Sequence, residues 1–537
     1  MYFLHPVSKV VHQPILISQA FFRFYRAVSI SRVFSLSVPH KSEDNVCKEA
    51  KFHTSHSQKY PVCELTVNRY SVTRGSFNKV SEETVNFFKT ILEEHRVVTG
   101  EDELLGNNTD WLGMVRGFSS VLLKPKSTKE VSEILKYCND NNLAVCPQGG
   151  NTGLVGGSVP VFDEVIISTA LMNKVENVDE YSGVVTCQAG CVLEQLDQHV
   201  AKYGLMMPLD LGAKGSCHIG GNVSTNAGGL RLVRYGSLLG SVLGVEAVLA
   251  SGEVIDCLSS MKKDNTGYSL KHLFIGSEGT LGLVSIHCPP RPLATSLAIL
   301  GLDSFEDALK TFQEAKWKLG EILSSCEFFD DVSLDCVTSN LKISSPIAEH
   351  KFYMLIETSG SNATHDEEKL NTFLESTMNS GLINDGTVAS EPSKMLDIWA
   401  LRERIAEALL HDGYVYKYDV SIPLPVFYKV VEMMQERLKP ANIIRCSGYG
   451  HIGDGNLHLN ITSEKFDKST LSLIEPYLYE LIAKFKGSVS AEHGLGFKKK
   501  NFMSYSKTPS AIGLMKSLKK LMDPKGILNP YKVLPDK

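Results

Sequence analysis

Two short segments in the C-terminal half of the chain combine imidazole and carboxylate side chains at spacings that could bind a metal ion or transfer a proton. In GHIGDGNLHLN at 450–460, Asn456, His458 and Asn460 alternate with leucines after a Gly-Asp-Gly turn, so they share one face of a predicted strand. His451 lies just before the turn, so the reversal of the chain places it near that face. Two neutral imidazoles and one carboxylate form a metal-binding set with an open position for substrate.

The second segment, AEHGLG at 491–496, supplies a carboxylate and an imidazole side by side in a glycine-rich bend. Such a pair suits a site in which a metal ligand and a proton acceptor lie close together. The HxxxxxxH spacing alone is a weak metal signal, because a histidine in such a strand is more often a structural hydrogen-bonding group. From the residues alone, a metal site and a structural role both remain open.

Two cations stand in a third segment, Arg402 in WALRERIA and Lys417 in VYKYDVSIP. A guanidinium is a planar fork that matches a carboxylate, and an ammonium is a compact charge, so the two together suit an anionic substrate. The alternative is a solvated helix face on which neighbouring glutamates pair with the arginines. Composition alone favours that alternative.

Three glycine-rich stretches precede these segments, PQGGNTGLVGG from 147, GAKGSCHIGGNVSTNAGG from 212 and FIGSEGTLGLVSI from 274. Glycine lets the backbone approach a ligand closely, and successive amides form a nest that receives a pyrophosphate without basic side chains. One such loop is ordinarily a turn, whereas three close together point to a ligand shared by several loops. The GxGxxG at 448–453 is followed by an alternating strand pattern instead of a helix, so it is not a dinucleotide fingerprint.

Short helix and strand signals surround these motifs. Helices are predicted at 81–94, which opens with a capping-box pattern, and at 127–139, and strands at 121–124 and 144–147. Further along, FEDALKTFQEAKWKLG and DEEKLNTFLESTMNSG predict amphipathic helices, and KFYMLIETSG and NIIRCSGYG predict strands. The pattern indicates two α+β units, the second with an antiparallel sheet.

The glycine-rich stretches resemble, in sequence and in order, the FAD-binding domain of the vanillyl-alcohol oxidase type of flavoprotein, and MDPKGILNPYKVLP at 522–535 resembles that family's C-terminal signature. The resemblance covers nearly the whole chain after residue 70. It implies an α+β fold with a two-part FAD-binding domain of the PCMH type at 105–295. An α+β substrate or cap domain with the metal site would follow at 296–500, and a C-terminal helical segment at 501–537 would return to the FAD domain. Residues 46–104 would form a linker and helical segment.

Carried over position by position, the resemblance implies noncovalent FAD, because members with covalently attached flavin place a histidine where this chain has Asn151. The first loop would hold the pyrophosphate, and the second would line the adenosine, phosphate and ribityl portions. The implied FAD-binding residues are Gly149, Gly150, Asn151, Thr152 and Gly153 in the first loop, with Pro208, Leu209, Gly220, Gly221, Asn222, Ser224, Thr225 and Asn226 in the second.

GHIGDGNLHLN and EHGLG resemble the metal and catalytic segments of the D-2-hydroxy acid dehydrogenase branch of that family. The resemblance implies that a divalent metal, with zinc favoured, is bound by His451, His458 and Glu492. It implies that His493 is the catalytic base and also contacts the substrate. Arg402, Lys417 and Asn460 would complete the substrate-binding set.

The sequence around Arg402 and Lys417 is similar to the subgroup that oxidises D-2-hydroxyglutarate to 2-oxoglutarate, more than to the D-lactate enzymes. Ala406 departs from members that carry a hydroxyl residue one helical turn after the arginine. Electron-transfer flavoprotein is the acceptor that the resemblance implies.

Two alternatives belong to different classes. One is a D-lactate or glycolate dehydrogenase on the same scaffold, which would need no cation for a second carboxylate. The other is a non-catalytic flavin-binding protein, against which stands the joint presence of the predicted metal ligands and base.

Residues 1–45 predict a mitochondrial transit peptide and hence a matrix protein. They contain five lysines or arginines, several serines and an apolar cluster at 15–25, with no acidic residue before Glu43. An untargeted, unstructured leader is the alternative. Since residues 1–42 hold those five cations and no acid, the chain after them carries −10 against −5 for the whole.

Composition excludes several other classes of protein. The chain has no long basic run of the kind that binds nucleic acid. The cluster at 15–25 is too short for a membrane span, and no other segment predicts one. The twelve cysteines include no CxxC pair and are interpreted as reduced thiols of a non-secreted protein.

Overall fold

Three β-sheets carry the fold of this computed structural model, which describes the chain at residues 63–279 and 283–536. The predicted transit peptide lies outside the described residues, as does the predicted linker before residue 63. The described part of the chain mixes helices and strands, which confirms the predicted α+β class. Its helices are each too short or too polar to cross a bilayer.

Helices and strands alternate along most of the described chain. The helices are α1 (Thr66–Arg69), α2 (Glu82–Ile91), α3 (Glu101–Asn108), α4 (Thr128–Asp140), α5 (Leu193–Val200), α6 (Ile219–Thr225), α7 (Leu232–Tyr235), α8 (Leu238–Ser241), α9 (Lys271–Phe274), α10 (Phe305–Lys318), α11 (Asp331–Leu341), α12 (Ala363–Asn379), α13 (Pro392–Glu403), α14 (Ile405–Leu410), α15 (Phe427–Arg437), α16 (Lys468–Ile474), α17 (Tyr477–Lys484) and α18 (Pro509–Met522). The strands are β1 (Val97–Val98), β2 (Leu122–Leu123), β3 (Val145–Gln148), β4 (Val165–Ser168), β5 (Val175–Asp179), β6 (Val184–Gln188), β7 (Val242–Val248), β8 (Val254–Cys257), β9 (Leu283–His287), β10 (Ala294–Leu302), β11 (Leu323–Asp330), β12 (Phe352–Gly360), β13 (Asp385–Ala389), β14 (Tyr414–Ser421), β15 (Arg445–His451) and β16 (Asn456–Ser463).

The first sheet joins β1, β2, β4 and β3 in that order within the described residues. Strands β2, β4 and β3 are parallel, and β1 is antiparallel to β2. Helix α4 connects β2 to β3 and begins at Ser127, whose side chain accepts the backbone N–H of Glu130. Its buried Ile134 and Leu135 join the core beneath the sheet. The predicted strand, helix and strand at 121–147 are confirmed.

The second sheet joins β5, β6, β9, β7 and β8, and its strands are antiparallel. The second glycine-rich stretch leads into it and contains a helix, α6, that the sequence pattern did not predict. This helix ends at Asn226, whose φ of 50° is left-handed. Asparagine tolerates that conformation better than most residues, which explains how a short helix ends inside a polar loop.

The third sheet joins β13, β10, β12, β11, β15, β16 and β14, and its pairs are antiparallel, as predicted. The predicted amphipathic helices are confirmed as α10 and α12, which pack on one face through Phe312, Leu370 and Phe373. The GxGxxG segment lies in β15 and its following turn, and β16 comes next, so no nucleotide-binding helix follows.

The end of the chain returns to the first sheet. Val145 donates its backbone N–H to Ile527 O at 2.8 Å and accepts that of Asn529 at 2.7 Å. Lys532 Nζ is buried and donates to Val159 O and to Asn529 Oδ1, both at 2.6 Å. These contacts place the C-terminal signature against the first glycine-rich stretch. The domain limits given above remain predictions.

Candidate active site

One face of the third sheet carries polar side chains across four neighbouring strands. The strand registers pair Glu327 with His451, and His458 with Asp419. Paired residues of antiparallel strands point to the same face, so these side chains form one row. The two leucines next to His458 point to the opposite face and join the apolar core, which confirms the alternation predicted from the sequence.

His451, His458 and Glu492 bring three donor atoms close together. His458 Nε2 lies 3.4 Å from His451 Nε2, and Glu492 Oε1 lies 3.8 Å from His451 Nε2 and 3.7 Å from His458 Nε2. Ligands about 2.1 Å from a tetrahedral zinc ion lie about 3.4 Å from each other. The three separations therefore fit a small divalent cation bound between these side chains.

His493 lies beside this group. Its Nε2 is 3.8 Å from Glu492 Oε1, and its ring stacks on that of His458 with centroids 5.5 Å apart. Asp419 forms a second group of close donor atoms with His458, Glu492 and His493. Asp419 is a poor metal ligand, however, because one of its oxygens already accepts three backbone N–H groups from the turn that carries Glu492.

Burial and neighbouring charges give these groups different protonation states. Burial holds the pKa of His458 well below its ordinary value. Burial also opposes protonation of His451, but Glu327 and Glu492 outweigh it, and the pKa is well raised. Burial alone would raise the pKa of Glu492, whereas the three facing imidazoles lower it to about 2. Burial lowers the pKa of His493 despite two nearby carboxylates, so its ring is neutral near pH 7 and able to accept a proton.

A cavity of about 140 Å³ opens over this row. Its walls come from the third sheet, from helices α13 and α14 and from the second glycine-rich stretch. The lining residues are Asp210, Leu211, Gly212, Gly229, Leu230, Arg402, Glu403, Ala406, Lys417, Tyr449, His451, His458, Glu492 and His493. Both predicted cations therefore share one cavity with the predicted metal ligands and base.

The two cations differ in their partners. Arg402 Nη2 lies 2.7 Å from Glu327 Oε2, and the guanidinium lies 4.7 Å over the ring of Tyr449. The other oxygen of Glu327 is 2.7 Å from His451 Nδ1. Lys417 forms no ion pair with any residue in the described ranges, so its charge is free for a ligand.

Asn460, predicted to bind substrate, is fully buried next to His458. Its Nδ2 donates to His458 O at 3.3 Å, and it is not part of the cavity lining. Its Oδ1 has no hydrogen-bond partner within the described residues. The structure thus brings Asn460 close to the site but behind the surface that a substrate would contact.

The first two glycine-rich stretches pack side by side. A Cβ at Gly149 would lie 3.8 Å from Gly221 Cα, and a Cβ at Gly150 would overlap Ser216 O. Gly221 is exposed with open space in front of it. Asn222 Oδ1 is buried, and no described residue donates to it. Open glycine backbone beside a spare buried acceptor fits a cofactor that brings its own hydrogen-bond donors.

Several predicted FAD-binding residues shape these loops with their own side chains. Asn151 Nδ2 donates to Gly106 O and Thr109 O, at 3.1 and 2.9 Å. The hydroxyls of Ser224 and Thr225 donate back to carbonyls of α6. Asn226 Oδ1 accepts from Ser237 Oγ and Leu239 N, while Pro208 and Leu209 are buried beside the cavity-lining Asp210. Thr152 and Gly153 remain partly or fully exposed.

The second and third glycine-rich stretches also hold the turn that carries Glu492. Gly229 donates its N–H to Glu492 Oε2 at 2.9 Å, and a Cβ at Gly228 would lie 2.9 Å from the same oxygen. Glu278 accepts the N–H groups of Leu495 and Gly496 at 2.7 and 2.8 Å. The segments predicted to bind FAD therefore also position the predicted metal ligand.

Sequence reasoning missed three carboxylates of this site, Asp419, Glu327 and Glu278. Asp419 stands two residues after Lys417, so strand alternation would have placed both on one face. Glu327 stands in LSSCEFFD, a strand that is buried throughout, and an acid in a buried strand signals a charged partner. Glu278 carried no comparable signal, because its role depends on contact with a turn far along the chain.

Comparisons with known proteins identify related domains and related chains. A model described as FAD binding domain matches residues 119–258, and one described as FAD linked oxidases, C-terminal domain matches 291–533. Mitochondrial D-2-hydroxyglutarate dehydrogenase of Danio rerio is 58% identical over 465 residues, 86% of either chain. That of Bos taurus is 57% identical over 484 residues, 90% of this chain and 89% of its own. The structure of p-cresol methylhydroxylase matches with a TM-score of 0.69 at 14% identity, covering 84% of this chain and 96% of that one.

The matching FAD domains and the similar chains define a FAD-dependent hydroxy acid dehydrogenase, and its fold is the one seen in p-cresol methylhydroxylase. This confirms the predicted fold class, enzyme class and FAD. The chain belongs to the D-2-hydroxyglutarate dehydrogenase family, whose matching members are named mitochondrial.

Proposed function

We propose that this enzyme oxidises D-2-hydroxyglutarate to 2-oxoglutarate in the mitochondrial matrix, with a divalent metal as well as FAD at its active site. One observation carries the proposal. The cavity combines a cluster of two imidazoles and a carboxylate, a neutral third imidazole and the unpaired Lys417, next to the glycine-rich segments. A 2-hydroxy dicarboxylate offers a hydroxyl for the base and two carboxylates for cations.

FAD, when bound, accepts the hydride that leaves the substrate carbon. In this chain Gly149, Gly150, Asn151, Thr152 and Gly153 would receive its pyrophosphate through backbone N–H groups. The rest of the cofactor would contact Pro208, Leu209, Gly220, Gly221, Asn222, Ser224, Thr225 and Asn226, with Asn222 Oδ1 as a spare buried acceptor. Asn151 stands where family members with covalently attached flavin have a histidine, and its side-chain amide donates to Gly106 O and Thr109 O within the protein. Both features favour noncovalent binding of FAD.

A divalent metal, when bound, acts as a Lewis acid that lowers the pKa of a hydroxyl it contacts. His451, His458 and Glu492 would hold it, and the nitrogen and carboxylate donors with tetrahedral spacing favour zinc. Glu327 holds the Nδ1 side of His451, so Nε2, which faces Glu492 and His458, is the nitrogen that would give up its proton to bind the metal.

Side chains around the cavity would perform the remaining steps. His493 would take the proton of the substrate's 2-hydroxyl on its ring nitrogen, since burial keeps the ring neutral. Lys417 and Arg402 would bind the carboxylates, and Asn460 would support the site from behind. Ala406 also lines the cavity, so a hydroxyl contact made there by similar enzymes would be absent. Electron-transfer flavoprotein remains the proposed electron acceptor.

A D-lactate or glycolate dehydrogenase on the same scaffold is the alternative function. Lys417 argues against it, because a monocarboxylate would leave a buried or half-buried cation without a partner. The pairing of Arg402 with Glu327 makes Lys417 the better candidate for the far carboxylate.

Replacement of Lys417 by alanine is expected to weaken D-2-hydroxyglutarate binding by about 2 kcal/mol, roughly thirtyfold, because a bound carboxylate loses its charged partner. Steady-state KM on D-2-hydroxyglutarate and on D-lactate provides the test, and D-lactate should be affected much less. Lys214→Ala is the control, since Lys214 pairs with Asp210 at the cavity rim. Equal losses on the two substrates would place Lys417 at the shared carboxylate and remove the argument for a dicarboxylate.

Acid precipitation is expected to release the flavin from the purified yellow protein into the supernatant. The reason is that the first loop carries Asn151, which forms no covalent bond to flavin. Absorbance of supernatant and pellet measures the outcome. Flavin retained in the pellet would contradict noncovalent attachment, and colourless protein that FAD does not reconstitute would contradict the loop assignment itself.

A further inference from the structure

We propose that Asp419 is the positioning residue of the active site, acting through both Glu492 and His493. The inference rests on the proposed roles of those two residues, which it deepens. Asp419 lies in β14 and is 0% exposed. It belongs to the row of polar side chains described above, next to His458 on the neighbouring strand. It does not line the cavity, so it would act without touching substrate.

Asp419 first fixes the turn that carries the two site residues. Its Oδ2 accepts the backbone N–H groups of Ala491 at 3.0 Å, Glu492 at 3.1 Å and His493 at 3.0 Å. Three successive amides around one oxygen form an anion nest. The carboxylate therefore fixes the position of this backbone and, with it, the positions from which the Glu492 and His493 side chains extend.

The same carboxylate faces two imidazoles on their Nδ1 sides. Its Oδ1 lies 3.7 Å from His458 Nδ1, and its Oδ2 lies 3.8 Å from His493 Nδ1. Negative charge on that side favours the tautomer with hydrogen on Nδ1. The Nε2 lone pairs then point toward Glu492, where a ligand of the metal and an acceptor of the proton are both required.

Asp419 is itself held in place. Asn456 Nδ2 donates to Oδ1 at 2.8 Å, and Lys499 Nζ lies 3.9 Å from Oδ2 while donating to Asp419 O at 2.8 Å. Five nitrogen groups around one buried carboxylate compensate the loss of its hydration. Because both of its oxygens already accept hydrogen bonds, Asp419 would stabilise the positions of the metal ligands without binding the metal itself.

The test is Asp419→Asn, which keeps the shape but removes the charge and leaves an amide donor facing either the N–H nest or Asn456 Nδ2. Zinc affinity, measured by competition with a chromophoric chelator, is expected to fall about 10- to 100-fold. With zinc and substrate saturating, kcat is expected to fall at least about tenfold with little change in KM. FAD content should stay at the wild-type level.

Asp330→Asn is the matched control. Asp330 is also 0% exposed in the same sheet and accepts from Ser333, Tyr428 and the N–H of Gly448, but among the described residues it bonds to no site histidine and not to the turn that carries Glu492. A purely structural effect would appear in both variants. Equal losses of kcat and zinc affinity in the two would therefore overturn the proposal, as would an Asp419→Asn enzyme within about twofold of wild type on both measurements.

A double-variant cycle with His493→Ala tests whether Asp419 acts through the base. On that background Asp419→Asn should lower kcat by less than about threefold, because the positioned group is already gone. Full additivity would overturn this half of the proposal. Should His493→Ala alone retain activity, the proposed base would be wrong. The zinc affinity of Asp419→Asn would still test whether Asp419 stabilises the metal ligands.

A second variant keeps the proposal testable if Asp419→Asn does not fold with FAD. Asn456→Ala removes the side-chain donor to Oδ1 and leaves the nest intact. We expect a loss of kcat of about threefold to tenfold that disappears on the His493→Ala background. An unchanged kcat in Asn456→Ala, or a loss that persists without His493, would contradict the proposed role.

Discussion

Replacement of His493 by alanine is expected to lower the rate of flavin reduction at saturating substrate by roughly a hundredfold or more, the usual contribution of a general base. The ring is positioned for this role by its place in the cavity and by burial that lowers its pKa. Substrate binding should persist, because the cations proposed to bind the carboxylates, Arg402 and Lys417, remain. Stopped-flow absorbance of the flavin measures the rate and separates it from binding.

His350→Ala is the control for this variant. His350 is a half-buried histidine near Asp303 and Asp385, away from the cavity lining. It should leave the flavin-reduction rate within about twofold of wild type, because it touches none of the reacting groups. A His493→Ala enzyme that reduces its flavin at the wild-type rate would show that another group takes the proton.

Removal of metal is expected to abolish flavin reduction by D-2-hydroxyglutarate while FAD stays bound. The physical reason is that the proposed ligands, His451, His458 and Glu492, belong to segments other than the glycine-rich loops proposed to hold FAD. Loss of a Lewis acid would leave the substrate hydroxyl at its ordinary high pKa, far from that of an imidazole. Chelator treatment followed by absorbance and rate measurements tests this, and added zinc, manganese or cobalt should restore the rate.

Glu492→Gln provides the corresponding variant. It keeps the size of the side chain but removes the charge that the facing imidazoles stabilise, so metal content should fall and the rate with it. Full activity after exhaustive metal removal would refute the ligand assignment. Loss of FAD together with the metal would instead indicate that the two sites depend on each other for folding.

The sequence predicts the local parts of this site well because they follow from short-range rules. Strand alternation placed His458 on one face with Asn456 and Asn460, and N-capping located the helix after Ser127. Chemical type alone suggested that a carboxylate and imidazole in AEHGLG would be near a metal. None of these inferences needed knowledge of which strands are neighbours.

The missed features depend on strand order and long-range packing. Glu327 matters because β11 lies next to β15, although more than a hundred residues separate it from its partner His451. The pairing of Arg402 with that carboxylate likewise follows from tertiary contact, and it changes the expected roles of the two cations. Glu278 joins a turn formed by Leu495 and Gly496, which no local pattern reveals.

The return of the chain end to the first sheet has a consequence for biosynthesis. Asn529 Nδ2 donates to Gly157 O and to Glu278 O, at 3.0 and 3.1 Å, and Glu278 in turn holds the turn that carries Glu492. The segment at 145–159 can therefore complete its packing only after residues 527–532 have been synthesised. Contacts between residues so far apart in sequence form slowly, and apolar surface stays exposed until they have formed. A polypeptide truncated before Ile527 would lack this closure.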